Sequence, residues 1–181
     1  MGPHRKRSIV SLASLFLFVS ADAANKLRVA PMLPTDLFCN AKIGQVKLAT
    51  FGLPARAFSV SGKISIVAPR ADKTYLPSAT VLIIGKAGSK GIGLKGYIDP
   101  KEPDQLQLGI LSQTESVKIT SWPWRLTPVQ FIVAVTVDGE LKVDVGGVVA
   151  TAPLDAFEPE SIEIGCSTGK LEFQRVSAQA W

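Results

Sequence analysis

Short runs of apolar and β-branched residues recur about every 8 to 12 residues along the chain, and Gly, Pro, Asp and Asn separate them. Regular spacing of this kind is typical of antiparallel sandwiches and barrels. No segment shows a sustained helical period, apart from a single possible turn at 153–159. The sequence therefore predicts an all-β, antiparallel β-sandwich of about ten strands in one domain. The candidate strands are residues 45–51, 57–62, 63–68, 80–85, 93–99, 106–112, 116–122, 129–137, 140–147, 161–166 and 170–176.

The clearest local pattern is VTVDGELKV, in which Asp138-Gly139 separates two alternating segments. Asp-Gly tolerates the positive φ angles of a type I′ turn, so the pattern predicts a two-residue β-hairpin. A similar pattern surrounds Thr168-Gly169 near the end of the chain and predicts a turn into the last strand.

The N-terminus has the pattern of a cleavable export signal. Basic residues at 5–7 precede an apolar run, Ile9–Val19, and the small residues Ala21 and Ala23 suit a signal peptidase site. The run is shorter than the roughly 20 apolar residues that span a bilayer, and no later stretch is longer. We therefore expect a signal peptide at 1–23, a loose lead-in at 24–36, a sandwich domain at 37–181 and a periplasmic or secreted protein.

Composition excludes several classes of function. The chain has one histidine, His4, which lies inside the predicted signal, so histidine-dependent catalysis and histidine-ligated metal sites are excluded from the exported part. Loss of the signal removes three basic residues and one acidic residue, which lowers the net charge from +5 to +3. A charge this small does not indicate a nucleic-acid-binding protein. We expect no cofactor and no metal.

Two cysteines, Cys39 and Cys166, lie near opposite ends of the chain. An even number of cysteines in an exported chain predicts a disulfide, which would make the first and last strands neighbours. GCSTGKL, which contains Cys166, resembles a phosphate-binding loop, but its glycine spacing is wrong and Leu171 stands where a Ser or Thr is needed. GIGLKG at 91–96 matches a dinucleotide-binding pattern, yet the prolines that follow it forbid the required helix.

A glycine-rich stretch at 85–96 carries Lys86, Lys90 and Lys95. Lysines on such a loop could bind an anionic glycan or surface polymer, because ammonium groups act as point charges toward anionic groups. The alternative is a hairpin tip that lysines keep soluble.

The stretch SWPWRLTP places Trp122 and Trp124 two residues apart, beside Arg125. On an extended segment both indoles face the same side, and coplanar exposed aromatic rings can stack on sugars. The alternative is that the tryptophans belong to the core, with Pro123 marking an edge or loop.

The C-terminal third, VQFIVAVTVDGELKVDVGG followed by SIEIGCSTGKLEFQRVSA, resembles the closing strands of concanavalin A-like lectin and glucanase sandwiches, including laminin-G-like domains. The resemblance covers residues 129–178. It implies a jelly-roll sandwich whose terminal strands are neighbours, and a carbohydrate ligand. Glucanases of this fold carry Glu-x-Asp-x-x-Glu or a close variant on one strand, which neither VDGELKVDV nor EPESIEIG reproduces.

The sequence therefore favours an exported, non-catalytic module that binds a glycan or an anionic surface polymer. The candidate contacts are Trp122, Trp124, Arg125, Lys86, Lys90 and Lys95. One alternative is a carboxylate-dependent glycoside hydrolase or lyase, whose two carboxylates would lie about 5 to 10 Å apart. Another is a structural protein whose exposed strand edge binds a partner. Asp99, Glu102 and Asp104 could supply oxygen ligands for calcium, but the prolines between them favour an ordinary solvent-exposed loop.

Overall fold

The computed structural model describes residues 35–53, 55–70, 72, 74–86, 91–125 and 128–180. The predicted signal peptide, most of the predicted lead-in, and Lys90 lie outside these residues. Every regular element in the described part is a strand, as the sequence predicts. Within that part, no helix is long and apolar enough to cross a bilayer. The strands are β1 (Thr35–Gly52), β2 (Phe58–Pro69), β3 (Ser78–Gly85), β4 (Ile92–Ile98), β5 (Gln105–Leu111), β6 (Ser116–Pro123), β7 (Val129–Val135), β8 (Glu140–Val145), β9 (Val148–Pro153) and β10 (Pro159–Ala180).

Two long strands, β1 and β10, belong to both layers of the sandwich. The first half of β10 pairs with β3, and the second half pairs with β2. β1 pairs antiparallel with β10 along both halves and is the terminal strand of each layer. The first sheet therefore has the order β1-β10-β3-β4-β5-β6, and the second sheet has the order β1-β10-β2-β7-β8-β9. The antiparallel sandwich predicted from the sequence is confirmed.

The corner between the two sheets lies where the pairing of β1 with β10 shifts register, between Ala41 and Val46. Thr168 lies at this corner with φ of 48° and is almost fully buried. Its hydroxyl accepts a hydrogen bond from the Gly44 amide at 3.2 Å, and its carbonyl accepts one from the Arg70 amide at 3.3 Å. These bonds satisfy polar groups that the irregular ladder leaves unpaired, so they stabilise the bend.

The predicted disulfide is present. Cys39 pairs within the second sheet and Cys166 within the first, and their Cα atoms are 6.0 Å apart. The bond therefore crosses the corner and connects one layer to the other. Both cysteines are buried in the core.

The core lies between the inner faces of the two sheets. Alternate residues of each strand point inward, so β4 buries Ile92, Leu94 and Ile98, whereas Lys95 between them is exposed. The second sheet contributes three buried phenylalanines, Phe58, Phe131 and Phe173. Burial of such side chains stabilises the fold by about 1.5 to 3 kcal/mol each.

Three predicted strand boundaries are wrong. Segments 57–62 and 63–68 form one strand, β2, because Gly62 stays in the ladder opposite Phe131. A Cβ at Gly62 would lie 3.0 Å from the Phe131 ring, so this glycine serves packing and not a turn. Segments 161–166 and 170–176 likewise form one strand, since the chain bends at Thr168 without reversing. β1 begins at Thr35, ten residues before the start of the predicted strand 45–51.

Strand β9 was not predicted, and its residues Val148–Pro153 are mostly exposed. The β7–β8 hairpin is confirmed, but its predicted type I′ turn is wrong. Only Gly139 in this loop has a positive φ, 75°, and its amide donates to the Thr136 carbonyl at 3.2 Å. This is a three-residue loop that ends in a left-handed glycine.

We expect the double variant Cys39→Ala/Cys166→Ala to lose about 4 to 5 kcal/mol of unfolding free energy. The bond closes a loop with a sequence separation of 127 residues, which greatly restricts the unfolded chain. Urea denaturation of the oxidised wild type and of the variant measures the difference. A midpoint that is unchanged would show that the corner does not need the disulfide.

Candidate functional site

The outer face of the first sheet carries a polar depression that we call the trench, formed by Lys95, Tyr97, Gln107, Gly109 and Lys118. Lys95 and Tyr97 point outward from β4 because their neighbours Leu94 and Ile98 fill the core. The other three residues lie on β5 and β6.

Strand register brings two lysines to the same glycine. Lys95 lies opposite Gly109 in the β4–β5 ladder, and Gly109 lies opposite Lys118 in the β5–β6 ladder. A Cβ at Gly109 would lie 2.6 Å from the Val117 carbonyl oxygen, so no side chain fits there. The result is a cavity of about 160 Å³ with a lysine on either side. Two cations flanking an uncharged floor make a site that favours an anion.

A chain of hydrogen bonds fixes the polar groups at one end of the trench. The Tyr97 hydroxyl donates to Gln107 Oε1 at 3.1 Å, and Gln107 Nε2 donates to Glu102 Oε2 at 3.1 Å. Gln107 is only 7% exposed, so these bonds satisfy an amide that would be costly to bury alone. The Tyr97 oxygen keeps lone pairs that can accept a hydrogen bond from a sugar hydroxyl. The trench therefore offers cationic donors beside a fixed acceptor.

The predicted lysine cluster is divided in the structure. Lys86 follows β3 and forms an ion pair with Glu158, whereas Lys95 lies within β4. Lys90 lies outside the described residues. The structure thus brings Lys95 together with Lys118, which the sequence analysis did not select.

Trp122 and Trp124 are both half-buried and pack against the core. Trp122 lies between the two sheets, where its ring covers Gly146 in the β8–β9 turn: a Cβ there would lie 2.9 Å from Trp122 Cζ3. The ring therefore fills the gap between β6 and the second sheet. Its role as a sugar contact stays a prediction.

Trp124 lies in the turn after β6 and is held on the β4–β5 loop. Its indole Nε1 donates to the Pro103 carbonyl at 2.9 Å. The Arg125 guanidinium covers the ring at 4.8 Å from its centroid and pairs with Asp104 at 2.9 Å. A sugar that stacks on this face would have to displace Arg125. Its role as a stacking platform also stays a prediction.

The carboxylates of the β4–β5 loop are engaged within the loop and its surroundings. Asp99 accepts a hydrogen bond from the Lys101 amide at 2.8 Å, and Glu102 and Asp104 bind Gln107 and Arg125 as described. Among the residues that the structure describes, no cluster of three or more His, Cys, Asp or Glu side chains could hold a metal ion.

Sequence reasoning missed Tyr97, Gln107, Gly109 and Lys118. Alternation within GLKGYI could have placed Lys95 and Tyr97 on the outer face of one strand. Alternation within QLQLG could likewise have placed Gln107 and Gly109 on the outer face of the next strand. It could not show that these faces are adjacent, because that depends on the register between strands.

Neither protein-family profiles nor curated proteins match the sequence. The structure is similar to an alginate lyase from Pseudomonas aeruginosa (TM-score 0.54, 13% identity), with 70% of this chain and 65% of that chain covered. It is also similar to a legume lectin-like domain from Entamoeba histolytica (TM-score 0.52, 12% identity, 79% and 82% covered). A family 7 polysaccharide lyase, an alginate lyase, gives a TM-score of 0.50 at 12% identity, with 72% and 62% covered.

The chain spans less than two thirds of the length of either lyase. At these identities the likeness shows the fold alone. The chain has a concanavalin A-like sandwich fold, as the resemblance of residues 129–178 predicted.

We expect Trp122→Ala to lower the free energy of unfolding by about 3 kcal/mol, because removal of the ring leaves a cavity between the sheets. Arg125→Gln should change it by no more than about 1 kcal/mol, since Arg125 is exposed and loses only a surface ion pair and a contact with the Trp124 ring. Urea denaturation of both variants tests this. Equal stability of Trp122→Ala and wild type would show that the ring is not part of the packing.

Proposed function

We propose that the protein is an exported, non-catalytic module that binds an acidic polysaccharide along the outer face of the first sheet. The observation that carries the proposal is the placement of Lys95 and Lys118 on either side of Gly109. Each ammonium group can donate hydrogen bonds to a uronate carboxylate or a sulfate, and charge-assisted bonds of this kind are the stronger ones.

The geometry of the row favours a linear polymer over a single sugar. The row that contains Lys118, Gly109 and Lys95 continues through Thr80 of β3 and Gly165 of β10 as far as β1. Neighbouring strands are about 4.8 Å apart, so this row crosses about 24 Å of sheet. A strip of that length could contact several sugar units in succession.

The fold and the disulfide support this proposal. The structurally similar proteins include a legume lectin-like domain and alginate lyases, and acidic polysaccharides are ligands that a cationic trench suits. A disulfide persists in oxidising compartments such as the periplasm or the medium, which agrees with the export signal predicted at 1–23.

We expect the wild type to bind a soluble polyuronate such as alginate more tightly than neutral dextran, and to bind it less tightly as salt rises, because salt screens exposed charges. Lys95→Gln/Lys118→Gln should weaken alginate binding at least about tenfold. The matched control, Lys42→Gln/Lys142→Gln, removes the same charge from exposed lysines elsewhere. Calorimetric titration measures all three proteins. Equal weakening in the control would attribute binding to net charge and would contradict a site in the trench.

A polysaccharide lyase is the second candidate, and Tyr97 is the observation that favours it. Its oxygen lies in the trench beside Lys95, where it could accept the proton next to a uronate carboxylate while the lysines stabilise the negative charge. As the adjacent C–O bond breaks, the same hydroxyl could return that proton to the departing glycosidic oxygen. A carboxylate-dependent hydrolase is less favoured, because none of the residues that line the trench is a carboxylate.

We expect no increase in ultraviolet absorbance when the wild type is incubated with alginate, since elimination would create an unsaturated product that absorbs there. A steady increase that Tyr97→Phe abolishes would establish the lyase and overturn the non-catalytic proposal. Tyr97→Phe should still bind alginate in either case, with a loss of affinity of no more than about tenfold, because both lysines remain and only one hydrogen-bond acceptor is removed.

The interaction-protein alternative depends on β1, whose outer edge has no partner among the described strands. Val46 and Leu48 on this strand are exposed. The alternative stays a prediction.

A further inference from the structure

A second cavity, which we call the end cleft, lies at the end of the sandwich where β7 and β8 meet and has a volume of about 560 Å³. Its walls come from the segment before β2, the end of β3, the β7–β8 hairpin and the segment between β9 and β10. None of the trench residues lines it. Its volume is within the range of pockets that bind small molecules.

One wall of the end cleft is apolar. Val137, Leu154, Phe157 and Pro159 line it, and Val137 at the hairpin tip is 80% exposed. An exposed aliphatic side chain beside a half-buried aromatic one provides an apolar surface. Burial of that surface by a ligand would lower the free energy of the complex.

The rim carries three charged side chains, Arg56, Lys86 and Glu158. Glu158 forms an ion pair with Lys86. The hydrogen bond from Lys86 lowers the pKa of Glu158, and the charges of Lys86 and then Arg56 contribute in the same direction. Glu158 is therefore ionised at neutral pH. The two basic side chains and this one carboxylate give the rim a net charge of +1.

The segment between β9 and β10 is held in place from two sides. The Gln113 side chain donates to the Asp155 carbonyl at 3.0 Å and accepts from the Asp155 amide at 3.1 Å. The Leu154 amide donates to the Gly139 carbonyl at 2.9 Å. Between these anchors and Phe157, Ala156 adopts a φ of 51°. A left-handed non-glycine residue costs about 1 kcal/mol or more, and such strain is concentrated at binding sites.

We propose that the end cleft binds an amphiphilic carboxylate, an alkyl or aryl acid whose apolar body contacts Val137 and Phe157 and whose carboxylate binds the Arg56 guanidinium. Arginine suits this role because its planar fork matches the two oxygens of a carboxylate. The site is independent of the trench, where the ligand is a polar polymer.

Calorimetric titration of the full chain with octanoate, phenylpropanoate and their uncharged amides tests this proposal. We expect at least one acid to bind, with the matching amide about tenfold weaker because it cannot make the charge-assisted bond. Tighter binding of octanoate supports an alkyl ligand, and tighter binding of phenylpropanoate supports an aryl ligand. The proposal is wrong if neither acid binds, or if the amide binds as well as the acid.

Two variants locate the site without disturbing the core, since Arg56 and Val137 are both exposed. Arg56→Gln should weaken acid binding about tenfold, and Val137→Ser should weaken the acid and its amide by similar factors. Arg125→Gln, which removes an arginine from the opposite end of the sandwich, should change nothing. Equal weakening by Arg56→Gln and Arg125→Gln would overturn the assignment. Lys95→Gln/Lys118→Gln should retain acid binding, so failure of the trench proposal and failure of this one are distinguishable.

Discussion

The bend that β1 and β10 share, with the disulfide across it, is the feature on which both sheets depend. β10 is hydrogen-bonded to β3 in one layer and to β2 in the other. Displacement of β10 would therefore remove a hydrogen-bonded neighbour from β3 in the first sheet and from β2 in the second. The buried Thr168 and the Cys39–Cys166 bond fix the angle at which the layers face each other. The buried apolar residues of the two inner faces pack between the layers at that angle.

Local sequence patterns predicted most of the strands because the alternation of inward and outward side chains can be recognised from neighbouring residues alone. Alternation identified β3 to β8 to within a few residues, since most of these strands bury one face or both. β6, at the edge of its sheet, buries no residue fully. The errors occurred where a tertiary contact overrides a local preference. Gly62 looks like a breaker but packs under Phe131, and Thr168-Gly169 looks like a hairpin but forms the bend of a continuous strand. β9 was missed because it has no large buried side chains, which would have produced an alternating hydrophobic pattern.

The candidate site was less predictable than the fold for the same reason. Lys95 was selected from a glycine-rich stretch, but its partner Lys118 lies on another strand with β5 between them. Only the register of two ladders brings them to Gly109, and register is set by pairing and not by composition. The sequence analysis selected the two tryptophans as sugar contacts, yet both make contacts that stabilise the fold. Trp122 packs on Gly146, and Trp124 is hydrogen-bonded to Pro103.

The position of β10 has a consequence for biosynthesis. It is the last of the described strands along the chain, and neither layer is complete before it is in place. Until the ribosome has released β10, the strands β1, β2 and β3 therefore lack the neighbour that joins the two layers. The pairings of β10 with β1, β2 and β3 would form late and over long sequence separations, which slows folding. The two cysteines, 127 residues apart in the sequence, come together only when β1 pairs with β10, so the disulfide would also form late.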